Sequence, residues 1–238
     1  MTATGDMYIK DTIVNDYKNF YTRDRLIQLG IGFGVGGIMA NTSIDSDFQD
    51  HFQNDIRSSG TDDFSKTAKD FGNGYYMIPI SFLGAAICSR DCESPIGQWG
   101  WHASRAYLVG GPPTLLMQLA TGGSRPGETS HDSKWRPFSD TNGVSGHAFV
   151  GAVPFITVAR MNSDHPFWKY AAYVASTATA WSRINDNAHY LSQAVLGWYM
   201  AWHSVDAVFD SDENNDRRVT VTPMIGNDAY AVAVRIKW

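Results

Sequence analysis

The chain has 238 residues, of which 43% are hydrophobic, 13% aromatic and 18% charged, enough apolar material for a real core and too little charge for a disordered tail. Its net charge of −5 leaves no basic stripe for a nucleic-acid backbone. A few converging arginines can still make a local phosphate site whatever the global sign, and the length fits one domain.

Residues 1–7 have neither the basic start nor the apolar run of a secretory signal, which taken literally points to the cytoplasm. Residues 24–40 follow as an apolar helix containing Gly30, Gly32, Gly34, Gly36 and Gly37, so close helix packing must offset its low intrinsic propensity. Residues 41–74 are polar and Asp-rich, reading as short helices and loops. The apolar runs 26–40 and 75–88 are shorter than the ~20 residues a bilayer span needs. Two later runs, 149–159 and 170–181, are broken up by Pro154, Arg160, Ser176, Thr177 and Thr179. All four are expected to be buried core helices of a soluble or membrane-peripheral protein. Cys88 and Cys92 are compatible with a local disulfide or with two ordinary buried thiols, and no second Cys or His pair suggests a metal site.

Residues 96–120 show helical spacing, with Gly110-Gly111-Pro112-Pro113 expected to kink or split the element. A loop over 121–144, rich in Gly, Ser, Pro, Asp and Asn, is too long for a simple connector, and such loops are usually functional. Helices are expected over about 146–162, 166–183 and 188–209. Asp210, Asp212, Asn214 and Asp216 alternate like a calcium loop, but Asn215 and Val221 stand where glycine and glutamate belong, so a solvated linker is expected. Alternation in 219–222 and 230–238 around Gly226-Asn227-Asp228 reads as a terminal β-hairpin, with Trp238 a packing residue. The whole is one all-α domain: an N-terminal extension to about 23, a helical core over about 24–209 and the hairpin over about 217–238.

Three segments place anion-binding residues at helix ends. In Gly122-Gly123-Ser124-Arg125-Pro126 a guanidinium, whose planar fork matches two phosphate oxygens, is aimed from a flexible turn. In Val144-Ser145-Gly146-His147 a serine cap opens an apolar helix whose first N–H groups form an anion site that His147 faces. In Ser182-Arg183-Ile184-Asn185-Asp186-Asn187-Ala188-His189 a helix break, with Asp186 or Asn187 capping the next helix, lets Arg183 and His189 converge. Each alone also reads as a solvated arginine, an ordinary cap or a connector. Together and in order they supply oxyanion neutralisation, a nucleophile and a general acid. His102 and Arg105, near Trp99 and Trp101, read either as pocket lining or as ordinary neighbours of a core helix.

This set resembles the signature of the PAP2 (type-2 phosphatidic acid phosphatase / vanadium haloperoxidase) superfamily: Lys-x6-Arg-Pro, Pro-Ser-Gly-His and Ser-Arg-x5-His-x3-Asp. Here the three parts are Gln118-x6-Arg125-Pro126, Val144-Ser145-Gly146-His147 and Ser182-Arg183-x5-His189-x3-Gln193, spanning 118–193. The resemblance implies an all-α helical bundle. It makes His189 the nucleophile of a phosphohistidine, His147 the general acid, and Gln193 the group that orients His189. Gln118, Arg125, Ser145, Gly146 and Arg183 take the phosphate-binding positions, and the pattern calls for no metal or other cofactor. A phosphatase acting on a lipid, isoprenoid or small phosphate ester follows. The alternatives are an impaired oxyanion- or phospholipid-binding protein and a vanadate-dependent haloperoxidase. The resemblance also favours an extracytoplasmic place and a peripheral membrane contact.

Gln118 and Gln193 replace the usual lysine and aspartate. Lys134 and Arg136 are candidates to fold back and restore the charge, and Asp186 and Asp140 to replace the carboxylate. At i+4 from His189, the Gln193 amide oxygen can itself accept the imidazole N–H.

Overall fold

A computed structural model describes the backbone of residues 3–88, 93–216, 219–225 and 230–236, and the side chains of 9–87 and 93–214. The helices are α1 (Ala3–Phe20), α2 (Arg23–Asn41), α3 (Ile44–His51, continued as a π-helical turn over Phe52–Ile56), α4 (Ser59–Asp70) and α5 (Gly74–Cys88). They are followed by α6 (Pro95–Thr121), α7 (Gly146–Met161), α8 (Pro166–Ser176), α9 (Ala178–Asn185) and α10 (Leu191–Asp216). The pairing of Cys88 with Cys92 and the packing of Trp238 lie outside the described residues.

α7 is apolar around most of its circumference and is buried accordingly: Phe149, Ala152, Val153, Ile156 and Ala159 are all core residues. α6 and α10 enclose it through Ala103, Ala106, Val109, Leu196, Met200, Val205 and Val208. Two of the α2 glycines do the packing expected of them: Gly32 lies against the Tyr199 ring and Gly36 against Leu196 of α10. Gly30 and Gly34 face open space instead.

Pro112 and Pro113 do not split α6, which runs for 27 residues. Pro112 lacks the N–H that would bond the carbonyl of residue 108, and Tyr17 Oη of α1 donates to that Leu108 oxygen at 2.6 Å. α7 repeats the device: Pro154 frees the Val150 carbonyl, which takes the Tyr107 hydroxyl at 2.8 Å. The defects at Pro112 and Pro154 are thus docking points for tyrosines from neighbouring helices.

Burial corrects the expectation for three of the four apolar runs. The 149–159 run is core, but α2 exposes Ile27, Ile31, Val35 and Ile38, α5 exposes Tyr75, Tyr76, Ile80 and Leu83, and α8 exposes Phe167, Trp168, Tyr170 and Val174. Among the described residues no single helix is long and apolar enough to cross a membrane; α2 and the segment Ile44–Ile56 pass that test only as a pair bent by 68°. The expected 166–183 helix is broken at Thr177 into α8 and α9.

The acidic run after 209 is no linker either, because it continues α10 to Asp216. Asp212 Oδ2 and Oδ1 receive Arg105 Nη1 and Nη2 at 2.7 and 2.8 Å, while Asp16 of α1 takes the same guanidinium at 2.6 and 2.8 Å. His102 Nε2 lies 3.1 Å from Asp212. Asp206 and Asp210 bind Arg25 and Arg160. With 1% of its side chain exposed, Arg105 is a buried clasp between α1, α6 and α10. At the C-terminal end the backbone of Val219–Ile225 pairs antiparallel with Tyr230–Ile236. Residues 226–229 and the side chains of both strands lie outside the described residues, and the fold that corresponds to the expectation is the all-helical bundle, without the appended hairpin as a part of it.

Candidate functional site

The site begins where α6 ends. Gly122 adopts φ +60°, where a Cβ would strike the Arg136 carbonyl, and its N–H closes the helix on the Gln118 oxygen at 3.0 Å. This turn directs Gly123-Ser124-Arg125 back toward the starts of α7 and α10. The loop is pinned by Arg136 N–H to the Thr121 oxygen at 2.9 Å and Asn142 N–H to the Gly123 oxygen at 3.1 Å.

Ser145 is the buried N-cap of α7, its Oγ accepting the Ala148 N–H at 3.3 Å. Its own N–H donates to the Gln193 carbonyl at 2.9 Å, locking the start of α7 to α10. Gly197 permits that approach, since a Cβ there would collide with the Ser145 oxygen. Helix geometry leaves the first-turn N–H groups of Gly146 and His147 without intrahelical acceptors, as an oxyanion site requires. Gln118 stands beside them: its Nε2 donates to the Val144 carbonyl at 2.8 Å and lies 3.3 Å from where a Gly146 side chain would be.

The third segment turns sharply after α9. Asn187 is left-handed (φ 54°), and the Ala188 and His189 N–H groups both return to the Arg183 carbonyl at 2.9 and 3.1 Å. His189, 4% exposed, has its Nδ1 2.9 Å from Gln193 Oε1. The amide oxygen only accepts, so Nδ1 carries the proton and the Nε2 lone pair is free. Gln193 also accepts the Tyr190 N–H at 3.2 Å and donates to the Ser124 carbonyl at 2.7 Å, so its side chain links the first and third segments while its main-chain carbonyl holds the second.

The second helix is capped differently from expectation. Neither Asp186 nor Asn187 caps α10; Asp45 of α3 does, accepting Ser192 N–H at 2.9 Å and Ser192 Oγ at 2.5 Å. Asp186 accepts from Ser65 Oγ at 2.6 Å, and Asn187 from Gln49 Nε2 at 2.6 Å. Asp140 bonds its own loop at Thr141 N–H and Asn142 Nδ2, so neither aspartate replaces the missing carboxylate. Lys134 lines a separate polar cavity of about 290 Å³ with Asn41, Ser43 and Asp132, and Arg136 bonds to His131; neither restores charge at the site.

Burial pushes the His189 imidazole down to about 3, opposed by the Gln193 hydrogen bond and reinforced by the charges of Arg183, Arg125 and His147. His147 is lowered too, by burial and then by Arg183, Arg125 and Lys69. Arg183 is only 13% exposed and 3.6 Å from Asp186, and its buried Nε has no hydrogen-bond partner among the described residues. Arg125, 45% exposed, donates from Nε to Asn142 Oδ1 at 2.9 Å.

All eight positions singled out in the sequence therefore converge: Gln118, Arg125, Ser145, Gly146, His147, Arg183, His189 and Gln193. Sequence reasoning missed three supporting groups. Asp45 fixes the start of α10; Asp132, which accepts the Tyr190 hydroxyl at 3.1 Å, braces the residue after His189; and Lys69 adds its charge near His147. No local signal marks them, because each acts across a long sequence separation. Among the described residues no group of three or more His, Cys, Asp or Glu side chains is arranged to hold a metal ion.

Residues 104–217 match the family described as the PAP2 superfamily. No curated protein and no solved structure matches the chain.

Proposed function

We propose that this chain, built on its PAP2-superfamily segment, is a phosphomonoesterase that works through a phosphohistidine at His189. The observation carrying this is the buried Nδ1–Gln193 contact at 2.9 Å, which leaves a neutral Nε2 nucleophile among Arg125, Arg183 and the start of α7. The arginines and the N–H groups of Gly146 and His147 hold the three non-bridging oxygens. Nε2 of His189 attacks phosphorus as the ester P–O bond breaks, and His147 gives its proton to the departing alkoxide. Water, deprotonated by His147, then cleaves the P–N bond and releases inorganic phosphate.

The alcohol is apolar, a lipid or isoprenoid phosphate taken up at a membrane surface on the extracytoplasmic side. In support, Gly72 packs against His147, and the exposed apolar face of α5 starts only three residues later at Tyr75 and Tyr76. A second function, oxyanion binding without turnover, is favoured by one feature: the partner of His189 is a neutral amide, which orients the ring but stabilises an imidazolium less than a carboxylate would.

Wild type and His189→Ala should be assayed on p-nitrophenyl phosphate and on a short-chain phosphatidic acid in mixed micelles. Hydrolysis by wild type alone, faster on the lipid, is expected. Equal rates for the two proteins would sink the phosphatase, and tight orthovanadate binding without hydrolysis would promote the binding protein.

A further inference from the structure

Gln118 leaves the signature one positive charge short, and its amide is committed to the Val144 carbonyl at 2.8 Å. A cation approaches the same ground from another element. Lys69 lies on the last turn of α4, whose end packs on His147: a Cβ at Gly72 would come 2.7 Å from the His147 carbonyl oxygen and 3.0 Å from its Cβ. The Lys69 charge is felt at the His147 ring, as are those of Arg183 and Arg125.

Lys69 is also not committed elsewhere. Its Nζ is 3.7 Å from Asp186 Oδ2, and Arg183 Nη1 is 3.6 Å from the same oxygen. Both separations are too long for good hydrogen bonds. The short bond of Asp186 goes to Ser65 Oγ at 2.6 Å. Asp186 thus holds two cations by charge alone, leaving their N–H groups available to an anion. Lys66, one turn earlier, is paired at 2.8 Å with Asp63 on the outer face.

We infer that Lys69 binds the substrate phosphate, supplying from α4 the charge that Gln118 withholds. This rests on the phosphatase reading of the site, and a binding measurement separates the two. In it, Lys69 leaves Asp186 for a phosphoryl oxygen when substrate arrives, and its flexible stem spans the change. The interaction is charge-assisted but partly exposed, so it is screened by salt and worth about tenfold in affinity.

Dissociation constants for orthovanadate and inorganic phosphate should be measured by calorimetry at low and high salt. The proteins are wild type, Lys69→Gln, Lys69→Arg, Lys66→Gln and the double variant Lys69→Gln/Gln118→Lys. Lys69→Gln should bind both anions about tenfold more weakly, with a smaller deficit in high salt, and its kinetic loss should fall on KM more than on kcat. Lys69→Arg should retain most of the affinity, Lys66→Gln all of it, and the double variant should recover part of what Lys69→Gln loses. Binding by Lys69→Gln within twofold of wild type overturns the assignment, as does an equal loss in Lys69→Arg. If wild type binds neither anion, the phosphate site itself falls, and Lys69 with it.

Discussion

Replacing Gln193 by glutamate changes charge with almost no change in shape, and its two consequences oppose each other. A carboxylate about 4 Å from the His189 ring centre, at an effective dielectric of about 20, stabilises the imidazolium by about 4 kcal/mol. At 1.36 kcal/mol per pH unit that is about three units. His189 should therefore rise from about 3 to roughly 6. The new carboxylate also sets an oxygen against the Ser124 carbonyl, where Gln193 Nε2 now donates at 2.7 Å. Losing that buried bond costs about 1–3 kcal/mol of stability. Histidine-labelled NMR titration reads the first effect and urea denaturation the second. In the attacking step His189 gains positive charge, so turnover at pH 6 should rise by roughly ten- to a hundredfold. A His189 midpoint that stays below about 4 in Gln193→Glu would refute the reasoning, because Gln193 could not then be the group facing Nδ1.

The pH dependence of kcat/KM should be bell-shaped and acidic: His189 must be neutral, which sets a limb near 3, and His147 must carry a proton, which sets the other limb below the ordinary histidine value of 6.5. His147→Asn should lower the rate and abolish the upper limb. Stability should also fall with acid. His189 and His203 are lowered on folding to about 3 and about 4, both by burial first, so the unfolded chain takes up protons first as pH drops below 6.5. Two such groups give a slope of about 2.7 kcal/mol per pH unit down to about pH 4. A backbone contact to Phe20 partly offsets the shift at His203 without giving either ring nitrogen a well-formed hydrogen bond. His203→Leu should therefore remove about 1.4 kcal/mol per pH unit of that slope in urea titrations run between pH 7 and 5, the lowered His147 adding to what remains, and an unchanged slope would exclude His203 as a source. Arg105→Met should cost about 3–5 kcal/mol in urea, because it strands the buried Asp16 carboxylate. Gly197→Ala should cost about 1–3 kcal/mol and weaken vanadate binding, since the new methyl group displaces Ser145.

Six of the candidate positions were readable from local helix-end signals, such as a serine before a glycine and an apolar run or an Asn-rich break between an arginine and a histidine, whereas Gln118 and Gln193 were marked only by the family resemblance. Burial of α2 and α5 was not readable in the same way. Both are apolar on nearly every face, so periodicity offers no polar side to mark the exterior. The acids after 209 looked like linker because their partners Arg105, Arg25 and Arg160 lie far away in sequence. The proline pair in α6 looked like a break because the Tyr17 hydroxyl that satisfies the freed carbonyl comes from 91 residues upstream.

The cap on α10 has a consequence for how the molecule divides its labour. Asp45 fixes the first turn after His189, yet it lies outside the 104–217 segment that carries all three parts of the signature. A fragment beginning at residue 104 would keep every signature side chain while losing the carboxylate that anchors the start of α10. It would also lose the Asp16 half of the Arg105 clasp. The upstream helices are thus assembly partners of the chemistry, and transplanting the signature alone would transfer its vocabulary without its grammar.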